Sequence, residues 1–199
     1  KNKFDGLIEI KPFYLTANFF YDGLSARNLM SDENFLVELI KSEIFKNKNF
    51  NSNIKFKIKN ITNIAELNNL FLNFNIKEGE IELSNSSLMW KEDLKISLEE
   101  CFLNYDGNQI NLDGKLTLEF IDVENFYRSF QIKKNNRKKI KKIELFFVYD
   151  FNQNLMNFSN PRIDDTPNLK IENYFENFND NNKREFNKVR FKNFVNDFF

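Results

Sequence analysis

The sequence predicts a mainly β protein with a few short helices, built as an antiparallel meander with one apolar face and a helical C-terminal tail. Three observations lead there. Between Leu70 and Phe120 apolar and polar residues alternate in a series of short runs. Leu70, Leu72, Phe74 and Ile76 fall on one side and Asn73, Asn75 and Lys77 on the other. Ile81 and Leu83, then Leu94, Ile96 and Leu98, then Leu116, Leu118 and Phe120 repeat the pattern. Second, Ile54, Phe56 and Ile58 alternate with Lys55, Lys57 and Lys59, so one face is apolar and the other must reach water. Third, Lys77-Glu78-Gly79-Glu80 and Asp106-Gly107-Asn108 are hairpin signals set between such runs. Period-two alternation bounded by Gly, Asn and Asp is what strands with one buried face look like in sequence.

In order, Leu7 to Lys11 is a short strand stopped by Pro12, and Phe13 to Tyr21 is a second strand of mixed alternation that Asp22-Gly23 ends. Ser31-Asp32-Glu33 supplies a capping residue and first-turn acids for a helix. Phe35, Leu36, Leu39, Ile40 and Ile44 give that helix its apolar stripe, and Asn47 to Asn49 closes it. Asn53 to Ile61 is the cleanest strand, and Ile64 to Leu67 reads as one helical turn before the meander. Within the meander Gly79 is available for positive φ, and Gly114 marks a bend or bulge rather than a stop. Asp122 caps a short helix through Phe126, Tyr127 and Phe130. Leu145, Phe147, Tyr149 and Phe151 alternate in the next strand, and Leu155 to Ser159 forms the last. Pro161 and Pro167 bracket a loop, and Leu169 to Phe178 reads as a helix with Ile171, Tyr174, Phe175 and Phe178 on one side. The end of the chain carries Val189, Phe191, Phe194, Val195 and Phe198 in a loosely amphipathic pattern. No linker divides the chain, so residues 1–199 read as one β-rich unit with 168–199 as its helical tail. The start at Lys1 rather than Met predicts the C-terminal fragment of a longer protein, with any targeting segment upstream.

Composition narrows the function classes. Lys and Arg balance Asp and Glu at 29 each, so net charge supplies no general attraction to nucleic acid. Histidine is absent, which removes the commonest general base and metal ligand. Cys101 is the single cysteine and leaves no internal disulfide. Phosphate-binding glycine loops, paired-cysteine metal spacings and nucleophile elbows are all missing. The carboxylate pairs Glu99-Glu100 and Asp164-Asp165 would need a pocket that shifts one pKa; adjacent acids on a strand point to opposite faces, and acids near loops are ordinarily solvated. The expectation is a protein that is not an enzyme and uses no cofactor or metal. The abundance of Phe, 25 residues, together with Asn, Lys and Ile is the composition an AT-rich genome gives, so not every Phe marks a function.

Two features remain for binding. The run from Lys133 to Lys142 holds Lys133, Lys134, Arg137, Lys138, Lys139, Lys141 and Lys142. Such a block is most often a solvated loop, and otherwise suits anionic head groups. Trp90 and the aromatic C-terminal helix are ordinarily core, and otherwise belong at a membrane surface or a partner. The apolar face of the strands needs a cover, which is a second sheet, helices, or something else such as acyl chains.

The stretch Gly79-Glu80-Ile81-Glu82-Leu83-Ser84-Asn85-Ser86-Ser87, with Trp90, Leu94-Lys95-Ile96-Ser97-Leu98 and the return Asn111-Leu112-Asp113-Gly114-Lys115-Leu116, resembles the repeat of AsmA-like proteins. Asp122 to Lys134 (DVENFYRSFQIKK) and Lys192-Asn193-Phe194-Val195 resemble the C-terminal region of such proteins from AT-rich marine α-proteobacteria. The resemblance implies a Gram-negative envelope protein, held in the inner membrane by an upstream helix and extending into the periplasm as a curved β-groove. Relatives among the bridge-like lipid-transfer proteins shield acyl chains in an apolar groove while head groups stay in water. On that reading the groove is lined by Ile54, Phe56, Ile58, Leu72, Phe74, Ile81, Leu83, Leu94, Ile96, Leu98, Leu116, Leu118 and Phe120. Lys133, Lys134, Arg137, Lys138 and Lys139 then meet head groups. The expected partners are phospholipid acyl chains and the inner membrane, without nucleic acid, and the expected role is phospholipid transport or outer-membrane biogenesis. The competing expectation is an interaction module whose sheet packs closed and whose C-terminal helix binds a protein or a membrane surface.

Overall fold

The computed structural model describes residues 2–11, 13–25, 47–62, 64–106, 109–153 and 155–180. They form one mixed sheet of eleven strands with two short helices. The strands are β1 (Lys3–Ile10), β2 (Phe13–Ser25), β3 (Asn51–Thr62), β4 (Leu67–Lys77), β5 (Glu80–Glu82) and β6 (Ser86–Trp90). After them come β7 (Leu94–Asp106), β8 (Gln109–Phe120), β9 (Lys142–Asp150), β10 (Leu155–Ile163) and β11 (Thr166–Pro167). Helix α1 (Val123–Ser129) follows β8 and helix α2 (Leu169–Asp180) follows β11. Strands neighbour one another in chain order, with β5 and β6 sharing the space between β4 and β7. The mainly β expectation holds, and so does the short helix capped by Asp122, whose Oδ1 accepts the Asn125 N–H at 2.8 Å.

Several local expectations are corrected. β1 begins at Lys3, and β2 runs through Asp22-Gly23 to Ser25 because Gly23, Leu24 and Ser25 stay paired to β3. The sheet is not antiparallel throughout: β2 and β3 are parallel. Residues 26–50 separate them, ample length for the crossover that parallel neighbours need. The helix expected from Ser31 to Ile44 lies outside the described residues, as does the chain after Asp180. Ile64 to Leu67 is a turn, closed by the Leu67 N–H on the Ile64 carbonyl at 3.0 Å. Pro161 is buried inside β10, at a register shift where Asn160 takes φ 49°, and does not mark a loop. The Glu78-Gly79 turn has φ 53° and 90°, the two positive values a two-residue hairpin of primed type demands.

Gly114 is not itself a bulge. The register slips on β7, between Glu99 and Phe102, so Glu100 and Cys101 together face Gly114. Glu100 takes φ 47° there, and Cys101 is fully buried. A Cβ on Gly114 would stand 2.7 Å from Cys101 Cα, so the missing side chain is what lets the bulged strand approach.

Helix α1 has seven residues, too few to hold together in water, so its packing must stabilise it. Phe126, Tyr127 and Phe130 bury against Leu94, with Trp90, Ile96, Leu118 and Phe120 around them. Tyr127 is wholly buried, its hydroxyl donates to the Lys138 carbonyl at 2.7 Å, and burial pushes its pKa up to about 12. Helix α2 is capped by Asn168, whose side chain accepts the Ile171 N–H at 3.1 Å. Its Ile171 and Phe175 close over Ile140, Ile143 and Leu145.

The opposite face of the sheet carries an ion-pair ladder. Lys115 Nζ lies 3.2 Å from Glu99 and 2.5 Å from Glu144, and Lys142 Nζ lies 3.2 Å from Glu144 and 2.9 Å from Asp165. The hydrogen bond from Lys115, helped by Lys142, holds the Glu144 carboxyl below its ordinary value of 4.5. A carboxyl depressed in the folded state favours folding above its unfolded pKa, and that contribution disappears as pH falls through the folded pKa. Glu144→Gln should therefore melt lower than the wild type at pH 7, with the gap closing as acid is added below about pH 4.5. Paired thermal melts from pH 7 to pH 3 test this, and a gap that stays constant with pH would refute the ladder's contribution.

The apolar face as candidate functional site

Cross-strand register decides which residues share a face, because partners in a ladder project to the same side. Ile54 pairs with Phe74, Phe56 with Leu72 and Ile58 with Leu70, while Ile76 pairs with Ile81. Leu94 pairs with Phe120, Ile96 with Leu118 and Leu98 with Leu116. Ile81 continues to Leu103, and Leu83 joins the same buried cluster around Cys101. All thirteen residues expected to line the apolar face therefore lie on one side of the sheet.

They do not share one environment. Leu94 is sealed at 1% exposure under α1, and Ile96, Leu118 and Phe120 pack against the same cluster. Leu116 meets the cluster under α2. Ile81 and Leu83 are buried with Cys101, Leu103 and Ile110, and Leu98 packs beside them. Neither cluster that contains α1 or α2 residues includes anything from β1 to β4. On that N-terminal half Ile58 is buried, while Ile54, Phe56, Leu72 and Phe74 are half-buried.

The half-buried part is a row of rings that ends at the exposed Phe4. Phe4 lies 4.9 Å from Phe19, Phe19 stacks on Phe56 at 4.8 Å, and Phe56 meets Phe74 edge-on at 5.9 Å. One ring on each of four adjacent strands makes a band running across the sheet. Such a band offers dispersion contact with no polar group to satisfy. Behind it, on the other face, Lys57 Nζ sits 5.5 Å from the Phe20 ring and 5.9 Å from that of Phe71. The lysine face thus reaches water, as its alternation requires, while covering two further rings.

Phe4 and Phe19 belong to this row but were not among the expected lining. The signal for Phe19 was present: Phe13, Leu15, Ala17, Phe19 and Tyr21 hold one phase, masked by the aromatics Tyr14 and Phe20 in the other, whereas Phe4 lies before the strand expected from Leu7.

The basic run divides. Lys133, Lys134, Lys138 and Lys139 are exposed, flanked by Ile132 and Ile140, which bury into the α1 and α2 clusters respectively. Arg137 is engaged otherwise, its guanidinium donating to the Ile132 carbonyl and the Glu124 carboxylate, each at 3.0 Å. The acid pairs have structural partners as well. Glu99 binds Lys115 and accepts from the Thr117 hydroxyl, while Asp164 accepts the backbone N–H groups of Lys141 and Lys142. Burial, aided by Asp113 and Glu82, pushes the Cys101 thiol up to about 12, which leaves it unreactive at neutral pH. Trp90 stacks 5.6 Å from Phe130 at the border of the α1 cluster. Among the described residues no helix is long and apolar enough to cross a membrane.

Comparison of the chain with protein-family models, with curated proteins and with solved structures finds no match.

Proposed function

We propose that this chain is a non-enzymatic part of a Gram-negative envelope protein that shields phospholipid acyl chains on the apolar face of its sheet. The reading follows the AsmA-like resemblance and puts the chain in the periplasm, tethered to the inner membrane, serving phospholipid transport or outer-membrane biogenesis. The observation that carries it is the single apolar face extending from β1 to β10, left partly open along the row of exposed Phe4 and half-buried Phe19, Phe56 and Phe74. Each methylene removed from water there gains roughly 0.8 kcal/mol, so an acyl chain needs no directional ligand. Lys133, Lys134, Lys138 and Lys139, exposed beside the covered half, suit phosphate head groups.

A second reading rests on the helices. Because α1 and α2 cover the face from β6 to β10, that half is an ordinary closed core, as an interaction module requires. Mass spectrometry of lipids extracted from purified chain separates the two. The lipid reading expects phospholipid in the wild type, at least a tenfold loss in Phe56→Asp and in Leu72→Asp, and retention in Lys57→Glu on the other face. Wild-type protein without phospholipid, or equal lipid in all the variants, would leave the closed module, whose partner binding should vanish on removing residues after Asn182.

A further inference from the structure

The two edges of the sheet are built differently. One is β10, whose register shifts at Pro161 and whose end is covered by β11, a two-residue strand containing Pro167. Short, proline-bearing, irregular edges are how proteins prevent further pairing. Among the described residues the other edge is β1, eight residues long, with regular register to β2 from Lys3 to Ile10. Every residue of β1 is exposed, and Phe4, Leu7, Ile8 and Ile10 are 65%, 60%, 63% and 76% exposed. It has no proline and no bulge, and alternate backbone N–H and C=O groups point away from β2.

The sequence of β1, KFDGLIEI, matches itself when reversed at two of its three paired positions, the third setting Asp5 opposite Leu7 on the other face. With Gly6 opposite Gly6 of a second copy, Lys3 of each faces Glu9 of the other, and Phe4 of each faces Ile8 of the other. Both contacts occur twice by symmetry. The register keeps Phe4, Gly6 and Ile8 on the apolar face of both copies, since they pair in the ladder with Phe19, Ala17 and Leu15. It also brings the glycines together at the centre, where the Phe4 ring already leans over Gly6: a Cβ added there would lie 3.1 Å from it. Shifting the register by two residues either way removes the Lys3–Glu9 pairing.

We infer that β1 is an assembly edge on which a second copy of this chain adds antiparallel, joining two sheets through a two-fold axis at Gly6. A seam of eight residues lies at the small end of interface sizes, so the association depends on concentration. The seam uses the backbone edge of β1 and the acyl-chain reading uses the sheet face, so although both include Phe4 each is tested by its own experiment.

Sedimentation equilibrium over a concentration series of the 199-residue chain tests the seam through its charge pairs. The wild type should dimerise, and Lys3→Glu or Glu9→Lys alone should weaken the dimer about tenfold, since each puts like charges opposite one another twice. An equimolar mixture of the two single variants, or the double variant carrying both changes, should restore wild-type association. Hydrogen exchange should show β1 amides gaining protection as the dimer fills. A wild type that stays monomeric, a dimer indifferent to the charge swaps, or a monomer whose β1 amides are already protected would each overturn the inference; the last would assign the edge to another segment of the same polypeptide.

Discussion

Phe126→Ala is expected to lower unfolding stability by about 3–5 kcal/mol. The ring is 2% exposed and touches three others: Phe120 at 5.1 Å edge-on, Phe130 at 4.7 Å and Tyr127 at 6.4 Å. Deleting it loses the transfer free energy of the ring and leaves a cavity that neighbours fixed on β7 and β8 cannot collapse into. Since α1 has no stability of its own, the helix should detach along with the ring. Urea denaturation followed by the fluorescence of Trp90, the single tryptophan, reads both effects, because Trp90 stacks on the same helix through Phe130. A change under about 1 kcal/mol would mean that α1 does not cover the sheet as described.

Gly114→Ala should cost about 2–3 kcal/mol although it adds one methyl group to a strand, where alanine is ordinarily the better residue. The new Cβ would lie 2.7 Å from Cys101 Cα, 2.8 Å from its Cβ and 3.1 Å from its Sγ. Backbone lies among those atoms, so trimming the side chain cannot relieve the contact. The double variant Gly114→Ala with Cys101→Ser should therefore recover little of the loss in the same urea titration. Full recovery would show that the thiol alone, and not the bulged backbone, demands glycine at this position.

These two sites also show where the sequence was readable. Alternation pointed to β3, β4, β5, β7, β8 and β9 but not to β6, and register puts all thirteen apolar positions on one side because partners in a ladder project to the same face. The bulge had a signature too. Leu94, Ile96 and Leu98 hold one phase, while Cys101, Leu103 and Tyr105 hold the other, within a single strand. Gly114 attracted attention because glycine is unusual in a strand, yet its cause lay across the ladder, in a pairing that no local pattern records. Strand direction was equally hidden, since β2 and β3 would alternate alike whether parallel or antiparallel. The division of the face into covered and half-buried halves depends on where α1 and α2 fold back. Their apolar residues announce that they pack somewhere and leave the target open.

The parallel seam between β2 and β3 bears on the order in which the sheet is made. From β3 to β10 each strand meets a neighbour reached through a short connection or through α1, so these pairings form at small loop-closure cost. The β1–β2 hairpin is local as well, but an isolated two-stranded hairpin is marginal in water. Its only route into the sheet is to align Tyr14 through Ser25 with Asn51 through Thr62 across the intervening segment. It is therefore expected to dock last and to leave first. While it is away, β3 is an open edge carrying Ile54, Phe56 and Ile58, and a hairpin from another molecule fits it as well as its own. The seam that completes the fold is thus also the place where two folding chains can exchange parts.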